Sequence, residues 1–342
     1  MTCMRLERTL LPIACMIPLL PLAFAGCRDQ ANPSTASLRP SDSKHGFIAF
    51  IGAGPNDPLW PVLQASASRQ MPPADIAPSV RFLVPANDSP KAQADLLRSV
   101  IEPDLRGVCI HINELPAVAP VLQQINTRGL PIVSMVEPVP PEIRAAHVGV
   151  DESAVGRELA RCTLEELGTE GGTIMVLHAG HDHPFYGVRY MAFQDEMKFG
   201  RSVEVLGEYD CKADPYLARK IIRERSARYP RLSAWVSIVD WPRRGGQAVD
   251  DLLPPQTRYI TVGGLPGHWP LLREGRSCII AADYGLIGGQ ALNACLSAIR
   301  DPTQNRRLIG VPLVRLTPVT VDDYEKRWTE WLATPATQPN GG

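Results

Sequence analysis

The chain has 342 residues, 35 Lys and Arg against 36 Asp and Glu, and 44% hydrophobic residues. A formal net charge of −1 with no basic stripe excludes a nucleic acid or an anionic surface as the partner implied by charge. Eight cysteines without CxxC spacing exclude a zinc framework and a dense disulfide scaffold.

The first element is a leader. Arg5 and Arg8 precede the apolar run LLPIACMIPLLPLAFAG, which ends at Gly26. The run is short and broken by prolines, which favours an export signal over a membrane span, so residues 1–26 are expected to be a signal peptide. The run closes as FAGC, with Cys27 after two small residues. This is similar to the lipobox of bacterial lipoproteins, with Phe24 where leucine is usual. The resemblance implies lipidation of Cys27 and tethering to a membrane by acyl chains. Residues 27–44, polar and rich in Ser and Pro, read as a flexible tether. The tail ATPATQPNGG, residues 333–342, is expected to be disordered.

From residue 46, short apolar runs alternate with amphipathic ones. GFIAFIG is followed by the helix-like PLWPVLQASASRQM. RFLVPA is followed by SPKAQADLLRSVIE, where Ser89 and Pro90 open a helix. GVCIHIN leads to LPAVAPVLQQINTRG, and LPIVSMV closes the series. The apolar runs lack polar alternation, as a parallel strand covered on both faces requires. After residue 150 the series restarts with DESAVGRELARCTLEEL, capped by Asp151. GTIMVLHAG, VRYMAFQDEMKFG, VEVLGEYD, PYLARKIIRERSARYP and LSAWVSIVD continue it. A helical stretch after Arg243, RYITVGG, CIIAADY, GLIGGQALNACLSAIRD and VPLVRLTPVTV complete it. The fold class is therefore α/β, with two doubly wound Rossmann-like lobes and a cleft at the carboxyl ends of their strands. Five cysteines lie beyond the leader. Cys109 and Cys278 fall in strand-like runs and Cys162 and Cys295 in helix-like ones, with Cys211 after a strand-like run. Buried thiols are the expectation, with one disulfide open to an exported protein.

In order and spacing, several pieces resemble the type I periplasmic binding proteins, such as the ribose- and galactose-binding proteins. NDPLW resembles their N-N-P-F-F, and AQADLLRSVI with GVCIHIN resembles their glutamine-bearing helix and following strand. GLPIV, HVGVDESAVGRELA, VRYMAF and VTVDD fit in turn, from about residue 46 to 325. The resemblance implies a sugar-binding protein with two lobes joined by several crossings and closing by hinge motion. It assigns residues 45–150 with 283–311 to one lobe and 151–282 with 312–328 to the other. A lipoprotein leader in place of a helix-turn-helix argues against the DNA-binding relatives.

The same resemblance selects candidate ligand-binding residues. Asp57 and Trp60 follow the first strand, Asp57 as a ligand acceptor or an Asx-turn and Trp60 as a platform for a ring or a core side chain. Arg189 lies at the family's ligand arginine, with a solvated surface charge as its alternative. Asp240 approximates another ligand position or caps a helix, and Trp241 beside it is a second platform or a plug. Asp283 sits near a polar family position, with a hinge cap as its alternative. Departures from the family are Val136 and Glu137 for an Asp-Arg pair, and Leu265 for an aspartate. They imply a more apolar pocket, a modified sugar or another small molecule as ligand, and a poor fit to an anion.

The segment HAGHDHPFYGVR, residues 178–189, can be read three ways. His178 and His183 donate to a ligand while Phe185 or Tyr186 stacks on it, the loop is merely solvated, or His178, His181 and His183 bind a hydrolytic metal. The last needs ring nitrogens aimed at one point, and HxxHxH alone does not supply that aim. The reading that follows is a monomeric solute-binding lipoprotein of the cell envelope, without cofactor or catalysis. It passes a carbohydrate or similar molecule to an ABC transporter permease. A sensory subunit acting on a membrane receptor is the alternative, and a metal-dependent hydrolase the third.

Overall fold

The structure is a computed structural model that describes residues 45–73, 75–200, 202–240, 242, 249–303 and 307–333. The expected signal peptide, Cys27 and its tether, Trp241, residues 243–248 and the tail from 334 lie outside the described residues.

The first half folds as β1 (Phe47–Ile51), α1 (Trp60–Ser68), β2 (Ser79–Leu83), α2 (Pro90–Ser99), β3 (Leu105–His111), α3 (Leu115–Thr127), β4 (Ile132–Met135) and β5 (Ala146–Gly149). The second half repeats the pattern with α4 (Glu152–Leu167), β6 (Gly172–His178), α5 (Tyr186–Met197), β7 (Val203–Asp210), α6 (Pro215–Arg228), β8 (Ala234–Ser237), β9 (Arg258–Gly263), α7 (Trp269–Arg273) and β10 (Ser277–Ala282). It closes with α8 (Tyr284–Arg300), β11 (Arg307–Gly310), β12 (Leu313–Leu316) and α9 (Val321–Leu332). Two six-stranded sheets result, ordered β2-β1-β3-β4-β5-β11 and β7-β6-β8-β9-β10-β12. The matching orders make the halves look-alikes. All pairings are parallel except that of β12 with β10.

Each sheet is covered on both faces, which explains the unbroken apolar runs. In β1, Ile48 and Phe50 pack with Leu63, Ile287 and Leu292 of α1 and α8. The intervening Phe47, Ala49 and Ile51 pack with Leu97 and Leu122 of α2 and α3. Alternate side chains serve opposite layers. In the second sheet, Val176 and Ile260 pack against Leu159 and Phe193 of α4 and α5, while Leu177 and Trp235 pack against Ile222 of α6. Where α8 crosses α1, a Cβ at Gly288 would lie 1.9 Å from the Leu63 carbonyl oxygen, so only glycine allows this approach.

The chain crosses between the sheets three times among the described residues. Strand β5 belongs to the first sheet, but α4 packs on β9 and β10 of the second. Strand β10 is followed by α8 on the first sheet, and β11 of the first is followed by β12 of the second. Helix starts are fixed as the sequence implies. The Ser89 hydroxyl accepts from the Ala92 amide at 3.2 Å, and Asp151 accepts from the amides of Ser153 and Ala154 at 2.9 and 3.2 Å. Cys162 of α4 and Cys278 of β10 form a disulfide, while Cys109, Cys211 and Cys295 are free and buried.

Candidate functional site: the cleft between the lobes

The carboxyl ends of the strands from both sheets face one cavity of about 920 Å³. This is where open α/β sheets place ligands. Strand β1 ends in a turn in which Asp57 Oδ1 accepts from the Leu59 amide at 3.0 Å. Its Oδ2 lies 2.8 Å from Nδ1 of His111, at the end of β3. Buried Gln93 of α2 ties these strand ends together, donating to the carbonyls of Gly52 and His111 at 2.8 Å each. Its Oε1 accepts from the Asn113 amide at 2.9 Å. Asn113 in turn donates to the Asp88 carbonyl at 2.6 Å, and the Asp88 carboxylate accepts from the Asn56 side chain at 2.6 Å. Val136, after β4, has φ 64°, a costly conformation for a β-branched residue, and it precedes Glu137 on the cavity wall.

The other lobe contributes the start of α5. Arg189 is 7% exposed. Its Nε and Nη2 each lie 2.6 Å from Glu152 Oε2, and its Nη1 donates to the Ile238 carbonyl at 2.7 Å. Burial works against the guanidinium charge, but Glu152 outweighs it and the net shift favours the charged form. Burial raises the Glu152 carboxyl pKa, with Arg189 opposing. The Tyr186 hydroxyl donates to Glu137 Oε1 at 2.8 Å, a direct bond from one lobe to the other. Asp240, after β8, and buried His268, after β9, complete the wall. The His268 Nδ1 accepts from the Gly264 amide at 3.1 Å. Tyr284 donates to the Gly263 carbonyl at 2.8 Å, and burial, then Asp240, pushes its hydroxyl pKa up.

Asp57, Glu137, Phe185, Arg189 and Asp240, all selected from the sequence, therefore line one cavity. Four other candidates do not. Trp60 turns back onto Gly52, where a Cβ would lie 2.6 Å from its ring, and packs against Phe50 and Phe82 at centroid distances of 6.0 and 6.4 Å. It seals the lobe rather than facing the cleft. Asp283 makes no side-chain cap to α8 and is ion-paired with Arg327 of α9. His178 is buried, and its ring stacks on Tyr190 at 4.2 Å and 11°. Burial lowers its pKa, with Asp210 opposing. His183 Nδ1 accepts from the amides of Phe185 and Tyr186 at 3.4 and 3.3 Å, which caps α5. Burial lowers its pKa too, against Glu137. One histidine packs and one caps. Among the described residues no group of three or more His, Cys, Asp or Glu is placed to hold a metal ion.

The sequence reading missed His111, Asn113, Asp88, Glu152 and His268 on the wall. His111 and Asn113 carried a usable signal: polar residues where an apolar parallel strand ends.

A family model described as a periplasmic binding protein domain matches residues 48–302. The chain belongs to the periplasmic binding protein family. Its members are solute-binding proteins of the cell envelope and are generally not enzymes. Solved structures with the same fold include a periplasmic ribose ABC transporter protein from Conexibacter woesei, at 17% identity and TM-score 0.69, covering 85% of this chain and 99% of that one. An ABC transporter solute-binding protein from Burkholderia graminis in complex with D-arabinose is 14% identical, with TM-score 0.66 and coverage of 83% and 99%. A XylFII–LytSN complex also matches, at 20% identity and TM-score 0.60, with coverage of 81% and 99%. These likenesses establish the two-lobed type I fold. No curated protein matches the chain.

Proposed function

We propose that the protein binds a sugar or sugar-like small molecule between its lobes and delivers it to an ABC transporter. The observation that carries this reading is a cavity to which both lobes contribute polar side chains, Asp57 and Glu137 from one and Arg189 and Asp240 from the other. Carboxylates and amides there can accept and donate to hydroxyls through strong, directional hydrogen bonds, and Phe185 and Tyr186 offer faces for an apolar ring. The Tyr186–Glu137 bond joins the lobes at the cavity wall, so a molecule that spans both walls favours the closed arrangement over an open one. In this reading Cys27 carries the lipid that keeps the monomer at a bacterial membrane.

The test is a thermal-shift screen of carbohydrates on the protein with its leader removed. A true ligand at ~100 times its Kd stabilises by about 2.7 kcal/mol, a rise in melting point easily read. If no carbohydrate raises it, and no small molecule is released from protein purified from its own cells, the proposal fails. A sensory role is the second reading. The shared fold with a XylFII–LytSN complex favours it, and a neighbouring permease and ATPase gene would argue against it.

A further inference from the structure

Two of the free cysteines meet inside the first lobe. On β3, Gly107 and Cys109 lie two positions apart and so present the same face of the sheet. Helix α8 packs on that face, and its Cys295 is buried in the same apolar cluster as Cys109. A Cβ at Gly107 would lie 2.6 Å from Cys295 Sγ, so the missing side chain leaves the space that this sulfur fills. Cys109 Sγ donates to the carbonyl of Ala291 at 3.5 Å, one turn before Cys295 on α8. The two thiols are hydrogen-bonded to each other. Burial, then Cys295, holds the Cys109 pKa well above the usual thiol range.

The second lobe carries a bonded counterpart. Helix α4 is where the chain first enters that lobe, as α8 is where it returns to the first, and Cys162 of α4 is joined to Cys278 of β10. In each lobe the entering helix therefore brings a cysteine onto an interior strand that also carries one. From this juxtaposition we infer that Cys109 and Cys295 are a second disulfide site, closed by a disulfide donor in the envelope as the chain folds. One cysteine, as thiolate, attacks the donor disulfide, forms a mixed disulfide and expels the first donor thiol. The other thiolate attacks the protein sulfur of that mixed disulfide and expels the second. Two electrons and two protons pass to the donor, whose S–S bond becomes two thiols. The exchange precedes packing, because burial of the folded pair suppresses the thiolate that must attack. The bond pins α8 to β3, so each lobe moves as one body and opening is confined to the crossings between them.

The test is a peptide map of protein purified from its own cells and unfolded without reductant in N-ethylmaleimide. The expected map contains a Cys109–Cys295 peptide pair beside the Cys162–Cys278 pair, with N-ethylmaleimide on Cys211 and on neither Cys109 nor Cys295. In Cys162→Ala/Cys278→Ala, dithiothreitol is expected to lower the melting point by ~5 °C, the scale of one disulfide in a protein of this size. In Cys109→Ala/Cys295→Ala carrying those same two substitutions, the reductant is expected to have no effect. N-ethylmaleimide on both Cys109 and Cys295 in the wild-type map would overturn the inference and leave them as buried apolar thiols. A bond from either of them to another cysteine would overturn it too. The wild-type map decides alone if the variants do not fold.

Discussion

Arg189→Met removes one partner of a buried ion pair and leaves the other in place. Arg189 is 7% exposed, and the Glu152 side chain is 15% exposed. Deleting one member of such a pair costs about 3–5 kcal/mol, because the remaining charge stays buried without its partner. Two features set where this case falls. Burial already raises the Glu152 pKa, so the stranded carboxyl can take up a proton and limit the loss. The Ile238 carbonyl loses a donor at 2.7 Å, which adds about 1 kcal/mol. A loss of about 3–4 kcal/mol near neutral pH follows. Urea denaturation measures it. The pH dependence has a definite sign. A carboxyl whose folded pKa is raised is best tolerated protonated, so its favourable contribution is present below the unfolded value, ~4.3, and fades as pH rises through the folded value. The variant's deficit is therefore smallest in acid and grows toward neutrality. Adding Glu152→Leu removes the stranded group and is expected to recover most of the loss. A deficit below ~1 kcal/mol, or one independent of pH, would refute the argument, since surface changes alone fall within ~0.5 kcal/mol.

Tyr186→Phe removes the bond to Glu137 that joins the two lobes. Hydrogen bonds to charged groups contribute about 1.5–3 kcal/mol, and part of that is lost here to solvent, so a solute affinity ~10-fold weaker is expected by calorimetry. The faster rate is expected in dissociation, and unchanged affinity would argue that the bond forms independently of closure. The Cys162–Cys278 disulfide closes a sequence separation of 116 residues, so reduced protein is expected to be less stable by about 2–4 kcal/mol. Peptide mapping after alkylation checks it, with Cys211 modified only on unfolding. His147 is buried against Ser134, and burial, then Arg144, lowers its pKa to about 4. Its contribution to stability is full above the unfolded value of ~6.5 and is lost as pH falls toward about 4, by about 3 kcal/mol in all. NMR titration of its ring resonances, with His147→Gln flattening the acid limb of stability, is the check.

The order of strands and helices was legible because each strand is buried on both faces and each helix on one, which writes different apolar periods into the chain. Ser89 and Asp151 were legible as caps for a local reason, since a cap needs only the next few residues. Strand β11, RLIG, left no mark, because its side chains are largely exposed at a sheet edge. Helix α9 was not recognised either, although Tyr324 and Trp328 are buried along it. Its apolar face packs on Trp269 of one lobe and, through Trp331, beside α8 of the other. The antiparallel direction of β12 is a property of the connection, and VPLVRL reads the same either way.

The site was legible in part, for the same physical reason. Asp57, Glu137 and Asp240 follow strand ends, and Arg189 lies in the first turn of α5, and all four are on the cavity wall. The candidates off the wall are held by other partners, some of them far along the chain. Arg327 is 44 positions from Asp283, and Tyr190 takes the face of His178. Trp60 was drawn inward by the missing side chain at Gly52. His111 was overlooked because its meaning depends on Asp57, 54 positions away.

The account stands on one claim: a small molecule sits between the two lobes, held by Asp57 and Glu137 on one side and Arg189 and Asp240 on the other. Native mass spectrometry of protein purified from its own cells tests this most directly, run on the wild type beside a variant with Asp57→Ala and Asp240→Ala. The account predicts a wild-type mass increment of one small molecule, absent from the folded variant. Equal increments in both proteins would contradict it, as would a wild type that carries nothing and takes up none of the screened solutes.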